Sequence, residues 1–158
     1  MNPSHPNSNN EMEAAKTAAN ALGKEMLVLN ASSDRELDAA FATMAQQQVR
    51  ALLFGSDTFF VDRRDYFVSL AAHYRIPAMS HVREYVQAGG LIAYGNRVAD
   101  MYRLVGIYVG RILKGEKPAD LPVQESTKFE LVINLKTAKA FGIEIPISMQ
   151  LLADEMIE

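Results

Sequence analysis

The sequence contains no cysteine among its 158 residues. This absence excludes disulfide bonds, thiolate metal sites and cysteine nucleophiles, and it leaves the redox compartment open. An excess of positive charge is also lacking, because 16 Lys and Arg oppose 19 Asp and Glu and give a net charge of −3. That balance argues against a protein that grips nucleic acid through a basic face. No apolar run approaches the roughly 20 residues that a membrane helix needs, and no basic and apolar leader opens the chain.

The common enzyme signatures are missing as well. No GxGxxG follows a predicted strand, and neither GxxxxGK[ST] nor GxSxG occurs. The histidines His5, His73 and His81 do not have the spacing of a zinc site, so no metal is predicted. No nucleophile, base and oxyanion site can be assembled from the remaining residues. We therefore expect neither catalysis nor a cofactor.

The residues that are present describe one α/β unit. Hydrophobic residues make up 49% and charged residues 22%, which is typical of a globular domain. Short apolar runs predict strands at 26–29, 51–54, 76–79, 91–94 and 129–133. Three- and four-residue spacing predicts helices at 12–22, after a Ser33 cap, at 61–74, 99–113 and 135–141, and after a Ser148 cap. Their alternation predicts a parallel sheet with helices on both faces.

Polar and aromatic residues follow the predicted strands or precede the first helix. In such folds ligands bind outside the carboxyl ends of the strands, where loops lead into helices. This rule selects the candidate ligand-binding residues Asn7, Ser8, Asp57, Thr58, Phe59, His81 and Tyr94. Each has a structural alternative that stays open at this point: helix caps for Asn7, Ser8 and Asp57, and packing for the aromatic rings. The set suits a small polar or zwitterionic ligand with an apolar part.

Several segments together resemble a known family. They are 2–7, 29–32, 53–60, 63–65, 76–78, 83–86, 88–95 and 110–115, and above all 117–123 with 127–139 (KPADLPV and TKFELVINLKTAK). In these segments the chain is similar to the ABC-transporter substrate-binding proteins related to tryptophan/phenylalanine-binding proteins. The resemblance covers essentially the whole chain.

The resemblance implies a periplasmic-binding-protein type I fold, in which two flavodoxin-like three-layer lobes close on a ligand at a hinge. Members are about twice as long, so this chain corresponds to their second half. We expect 2–80 to form the second lobe without its first strand, 90–117 to return to a first lobe that is absent, and 121–158 to rejoin the second lobe. The resemblance further implies a periplasmic full-length parent and an ABC permease partner, with no signal peptide in this chain.

The resemblance also assigns roles to individual residues. Asn7 and Ser8 match the loop that opens the second lobe, and Asp57 matches an acidic position that could accept a hydrogen bond from a ligand ammonium. Thr58 replaces a residue that often bears an amide, and His81 stands where relatives have polar or acidic residues. The implied ligand is a small solute, with an amino acid as the candidate, bound without catalysis. Half of such a cleft is expected to bind weakly.

Two other readings remain open. A stand-alone flavodoxin-like enzyme or sensor would need a phosphate-cradling glycine loop or an acidic cluster after the first strand, and the sequence has neither. A structural or assembly role is the second alternative. Without a first lobe, the apolar side of the 99–113 helix lacks its cover, which invites self-association.

Overall fold

A computed structural model of the chain describes residues 1–124 and 128–158. Residues 125–127 lie outside the described residues. They belong to the predicted 121–158 unit, and residue 127 is the first of the 127–139 segment. The described chain builds a five-stranded sheet whose strands stand in sequence order. These strands are β1 (Leu52–Leu53), β2 (Ala78–Ser80), β3 (Ile92–Asn96), β4 (Phe129–Asn134) and β5 (Glu155–Ile157).

The sheet is mostly parallel, which confirms the predicted α/β class. β1, β2 and β3 run parallel to one another, and β4 runs parallel to β5. One pair departs from the predicted parallel arrangement: β3 and β4 are antiparallel, with Ile92 opposite Ile133 and Asn96 opposite Phe129. The connection between them begins at the carboxyl end of β3 and enters β4 at that same end. β4 therefore runs in the direction opposite to β3.

Helices connect the strands. They are α1 (Ser8–Ala21), α2 (Asp34–Gln46), α3 (Thr58–Asp62), α4 (Arg64–Tyr74), α5 (Arg83–Gln87), α6 (Val98–Leu113), α7 (Leu135–Phe141) and α8 (Ile147–Leu152), with a 3₁₀ turn at Pro118–Asp120. The predicted cap of α2 is confirmed, since the Ser33 side chain accepts from the Glu36 amide. Within the described ranges, no helix has both the length and the apolar character to cross a membrane.

Two local predictions are wrong, and two short elements were missed. The helix predicted at 61–74 is two helices, because Asp57 caps α3 early and the backbone at Arg63 leaves helical geometry before α4 begins. Ser148 does not cap the last helix but lies inside it, and Pro146 holds the cap position. The short elements α5 and β5 were not predicted, since five and three residues carry too little periodicity.

The predicted strand at 26–29 is also wrong as a strand of the sheet. Residues 24–31 are not assigned to any helix or strand. β1 is an edge strand of the described sheet. Met1 lies beside the segment and donates from its amino group to the Leu29 carbonyl at 2.7 Å. The apolar run has the composition of a buried strand, but among the described residues no strand beside it completes a ladder.

Aromatic rings form the centre of the core. Phe54 follows β1 and lies 4.3 Å from Phe67 of α4 and 5.1 Å from Tyr85 of α5, measured between ring centroids. Phe41 of α2 meets Phe67 edge-on at 5.2 Å. All four rings are buried. They hold α2, α4 and α5 against the parallel part of the sheet, and such ring pairs add to the stability from area burial alone.

A group of ion pairs joins β4 and β5 to the start of α5 and the end of β3. The Arg83 guanidinium lies 3.0 Å from buried Glu130 and also contacts Glu155. The Arg97 guanidinium lies 2.9 Å from Asp154 and 3.7 Å from Glu130. Glu130 is thus buried with both guanidinium groups beside it, which offsets the cost of removing its charge from water.

Helix α6 differs from the others because none of its residues is buried. Met101, Val105, Val109 and Ile112 recur at three- and four-residue spacing, so they share one face, and each is exposed. A Cβ added at Gly106 or Gly110 would meet nothing within 4 Å. Helix α6 therefore presents a complete apolar stripe to solvent in the described part of the chain.

The aromatic core yields a test of stability. Phe67→Ala removes a ring that is 2% exposed, and we expect it to lower the free energy of unfolding by about 3–5 kcal/mol. Phe129→Ala is the matched control, since the same truncation at a ring that is 50% exposed should cost much less. Urea unfolding followed by circular dichroism measures both variants. An equal loss of unfolding free energy in the two variants would contradict the assignment of Phe67 to the core.

Candidate functional site

Polar residues gather at the edge of the sheet where β1, β2 and β3 end. Because these strands are parallel, the loops after them open at the same edge. The loop after β1 carries Ser56 and Asp57, and the loop after β2 begins with His81. The first turn of α1, which contains Ser8, is tied to the same edge through Glu11. The sequence rule that selected these loops thus leads to one region of the molecule.

Asp57 holds the N-terminus of α3 with its side chain. One carboxylate oxygen accepts from the Phe59 amide at 2.7 Å, and the other accepts from the side-chain amide of Asn2 at 3.1 Å. The residue is buried, with 8% of its surface exposed. The helix-cap alternative for Asp57 is therefore confirmed. A carboxylate has about four lone-pair sites, so two hydrogen bonds leave acceptor capacity for a ligand.

Glu11 is the residue that sequence reasoning missed at this edge. Its carboxylate accepts from the Ser56 amide at 3.1 Å and from the Ser56 hydroxyl. It therefore links α1 directly to the loop after β1. The sequence did contain a signal for Glu11. It lies three residues after the candidate Ser8 and therefore projects from the same face of a helix.

His81 lies half-buried beside two carboxylates. Its Nδ1 atom is buried and has no hydrogen-bond partner among the described residues. Burial lowers the pKa of His81, while the charges of Glu11 and Glu84 act in the opposite direction. The neutral imidazole is therefore favoured, and Nδ1 can accept or donate one further hydrogen bond according to its tautomer.

Gly95 brings β3 against the same loop. A Cβ added at Gly95 would lie 1.9 Å from the carbonyl oxygen of His81. No side chain fits in that space, so glycine allows the end of β3 to approach the His81 backbone closely. The loop after β2 is thus held in place from the β3 side.

The remaining candidates are placed differently. Asn7 is exposed at the cap position of α1 without a side-chain cap bond, and Ser8 beside it is buried. Thr58 is exposed, whereas Phe59 is half-buried with its ring 5.3 Å from the Phe60 ring. Tyr94 is half-exposed and stacks on Phe129 at 5.6 Å. The rings of Phe59 and Tyr94 thus pack against other rings, while the backbone amide of Phe59 donates to Asp57.

The electrostatics of the edge are acidic. Glu11 and Asp57 both raise the pKa of the Met1 amino group, although burial has the larger and opposite effect. Glu11 and Glu84 likewise favour a positive charge on His81. Among the residues described, no group of three His, Cys, Asp or Glu could hold a metal ion. The arrangement therefore suits an organic cation or an ammonium group, with hydroxyl and amide partners beside it.

A concave surface lies on the opposite side of the sheet from the candidate site. Residues of α7 and of the segment 142–150 line this shallow depression. β4 runs antiparallel to β3 and leads into α7, so the depression is far from the ends of β1, β2 and β3. None of the sequence-predicted site residues lines it.

Comparison with protein families gives a match over almost the whole chain. The family described as "ABC transporter substrate binding protein" matches residues 1–157. A search of curated proteins gives no match.

Solved structures include similar chains. An ABC domain from Streptococcus pneumonia in complex with L-Trp has 28% sequence identity and a TM-score of 0.88, over 99% of this chain and 52% of that one. A conserved domain protein from Vibrio cholerae O1 biovar El Tor has 24% identity and a TM-score of 0.87, over 98% and 52%. A ligand-free, open substrate-binding protein with adhesive properties from Clostridium difficile has 22% identity and a TM-score of 0.69, over 99% and 52%.

The similarity to the last two structures, at 24% and 22% sequence identity, shows the fold alone. In all three comparisons the chain spans about half the length of the solved chain, at 52%.

Burial of His81 predicts a pH dependence of stability. The pKa of His81 is lowered on folding, so below about 6.5 the unfolded chain binds the proton more readily than the folded chain. The contribution of His81 to stability is therefore complete above about pH 6.5 and declines as the pH falls below it. We expect His81→Gln to flatten this decline, as measured by urea unfolding between pH 5 and 8.

The matched control is His73→Gln, which changes an exposed histidine. The decline in stability below about pH 6.5 should persist in this variant, because His81 is unchanged. A His81→Gln chain whose unfolding free energy follows the wild-type pH curve would contradict the placement of His81.

Proposed function

Because the chain belongs to the family of ABC transporter substrate-binding proteins, we propose that it supplies one face of a solute-binding site in an importer and performs no catalysis. The observation that carries the proposal is the grouping of Glu11, Asp57 and His81 at the carboxyl edge of the sheet. These groups offer acceptors for a polar ligand but no activated nucleophile. Binding proteins of this architecture deliver a ligand by closing around it.

We propose an amino acid as the solute, with its ammonium group at Asp57. Asp57 is buried and keeps free acceptor capacity, and the side-chain amide of Asn2 already donates to it. A ligand ammonium would take the place of the Asn2 amide and form a charge-assisted hydrogen bond, which is stronger than a neutral one. The L-Trp bound to the S. pneumonia protein, at 28% identity, supports this ligand class.

The other predicted residues complete this face. Ser8, Thr58 and the neutral imidazole of His81 would supply hydrogen bonds, and Asn7 would supply an amide at the rim. Phe59 and Tyr94 would contact the apolar part of the ligand, since each ring keeps exposed surface. This division into a few polar contacts and apolar rings is the usual composition of a small-molecule site.

The affinity of this face alone should be low. The chain spans about half of the solved chains it matches, so a ligand held here lacks the contacts and the exclusion of water that a facing lobe provides. The full site, an extracytoplasmic location and an ABC permease partner belong to the proposal for the whole protein. The alternative of a stand-alone flavodoxin-like enzyme or sensor has no specific observation in its favour.

An assembly role has one observation in its favour, the exposed stripe of α6. Apolar surface of this kind marks an interaction site in a soluble protein. We propose that two copies of the chain associate through α6. An antiparallel arrangement would bring Asp100 near one end of the helix towards Arg111 and Lys114 near the other end.

Substitution of Asp57 tests the ligand proposal. Asp57→Asn keeps a residue that caps helices well but removes the charge, whereas Asp57→Ala also removes the cap and should cost about 0.5–2 kcal/mol of stability. We expect Asp57→Asn to weaken the binding of L-tryptophan about tenfold, because a hydrogen bond to a charged group is lost. Titrations followed by NMR can measure such weak binding.

The control ligand is indole-3-propionate, which lacks the ammonium group. Its binding should be unaffected or improved by Asp57→Asn, because no cation meets the carboxylate. If both ligands lose affinity equally, or if L-tryptophan binds the Asp57→Asn and wild-type chains alike, the ammonium site is not at Asp57. Other amino acids with their deaminated analogues extend the comparison.

Val105→Asp tests association through α6. The wild-type chain should sediment as a dimer at micromolar concentration, and Val105→Asp should shift it to monomer, because a charge would be buried without a partner. Leu151→Asp introduces the same group at an exposed leucine of α8 and should leave the dimer intact. A wild-type chain that sediments as a monomer would contradict the proposal.

A further inference from the structure

Glu130 is a buried acid that the candidate site does not include. It belongs to β4, and only 6% of its surface is exposed. A buried carboxylate costs free energy unless charged or hydrogen-bonding partners surround it. The Arg83 guanidinium donates from Nη1 to Oε2 of Glu130 at 3.0 Å, and the Arg97 Nε atom lies 3.7 Å from the same oxygen. Glu130 is therefore the shared partner of two guanidinium groups.

Arg83 directly follows the segment that carries His81. This segment, residues 81–82, joins β2 to α5 and is called the His81 loop below, and Arg83 is the first residue of α5. Among the described residues no side chain caps α5, and the backbone at its cap position is extended. The Val82 amide donates instead to the Ser80 hydroxyl at 3.1 Å. The contact between Arg83 and Glu130 thus ties the end of the His81 loop to β4.

Gly95 lies between the His81 loop and Glu130. It stands directly opposite Glu130 in the antiparallel pair of β3 and β4. Side chains of opposite residues in such a pair project from the same face of the sheet. On that face, a Cβ added at Gly95 would lie 1.9 Å from the His81 carbonyl oxygen. The Glu130 side chain and the His81 backbone therefore share one face of the sheet, beside the same glycine.

Glu155 gives Arg83 a second carboxylate, which is more exposed. The Arg83 guanidinium also donates to Glu155 of β5. The side chain of Glu155 is 43% exposed, compared with 7% for that of Glu130. Exposed ion pairs contribute little because water and salt screen them, whereas breaking a buried pair leaves a charge without compensation. Glu130 is therefore the stronger determinant of where Arg83 lies.

We propose that Glu130 is a positioning residue for the candidate site, which through Arg83 holds the His81 loop against β3. The inference rests on the proposed solute-binding function for the role of the loop, and on the contacts above for its geometry. Glu130 would act on a ligand only through the place of His81. A role in the stability of the sheet alone would lower the free energy of unfolding without moving the His81 imidazole.

The ionisation of His81 reports the place of the loop without any ligand. Burial lowers the pKa of His81, while the charges of Glu11 and Glu84 act in the opposite direction. In Glu130→Gln the released loop should expose the imidazole, and we expect the pKa of His81 to rise by about half a unit towards 6.5. Loss of a nearby negative charge by itself would lower this pKa, so the direction of the change identifies displacement.

NMR of the histidine ring signals between about pH 4 and 8 measures this pKa. The His81→Gln chain assigns the signal. The matched control is Glu155→Gln, which removes the exposed carboxylate from the same guanidinium. It should leave the pKa of His81 within about 0.1 unit of the wild-type value.

Arg83→Gln tests whether Glu130 acts through Arg83. It should reproduce the rise in the pKa of His81, because it breaks the same contact. The double variant should show no larger rise than either single variant, since residues that act as one unit are not additive. Arg83→Gln also carries the test if Glu130→Gln does not fold, because the Arg83 side chain is 31% exposed.

Titration with L-tryptophan measures the consequence for binding. We expect Glu130→Gln to weaken binding about fivefold, which corresponds to the loss of one hydrogen bond to a neutral group. Glu155→Gln should stay within about twofold of the wild-type affinity. A wild-type chain that does not bind L-tryptophan would overturn the amino acid proposal alone, since the His81 titration decides the role of Glu130 without a ligand.

Three results would overturn the role of Glu130. The first is a pKa of His81 that stays unchanged or falls in a Glu130→Gln chain with the wild-type circular dichroism spectrum. The second is an equal rise in Glu155→Gln, which would mean that the exposed carboxylate holds Arg83 as well as the buried one does. The third is a double variant in which the two rises add, which would mean that Glu130 does not act through Arg83.

Discussion

The contact between Phe54 and the rings of Phe67 and Tyr85 is the constraint on which the rest of the structure depends. β1 has only two residues and β2 only three, so few ladder hydrogen bonds hold the parallel part of the sheet together. The aromatic contacts fix α4 and α5 on the strands and so determine where the loops after β1 and β2 emerge. The polar side chains at this edge are held in defined positions because the aromatic core behind them is packed.

The class of fold and the edge that carries the polar residues could be predicted from the alternation of apolar runs and helical spacing. The same spacing located α2, α6 and α7 to within a few residues. It failed at 26–29, because composition identifies a strand that suits burial but says nothing about whether a neighbour is present to pair with it. It also failed at Arg63, where a cap formed by Asp57 started a helix earlier than the apolar pattern did.

The sequence predicted where the candidate site lies better than it predicted which residues contact one another there. Asp57 and His81 follow strands, so a general rule of α/β sheets found them. Glu11 lies inside a helix, and only the fold reveals that its carboxylate reaches the Ser56 amide. The packing of Phe59 against Phe60 and of Tyr94 against Phe129 could not be predicted either. The sequence does not show whether an aromatic ring that follows a strand faces solvent or a neighbouring ring.

The uncovered stripe of α6 has a consequence for how the 158 residues behave when they are produced as a separate chain. Exposed apolar surface of this kind favours association with a complementary surface. The core around Phe54 and Phe67 can fold completely and still leave this stripe exposed along α6. Solubility is then governed by what covers the helix and not by the stability of the core.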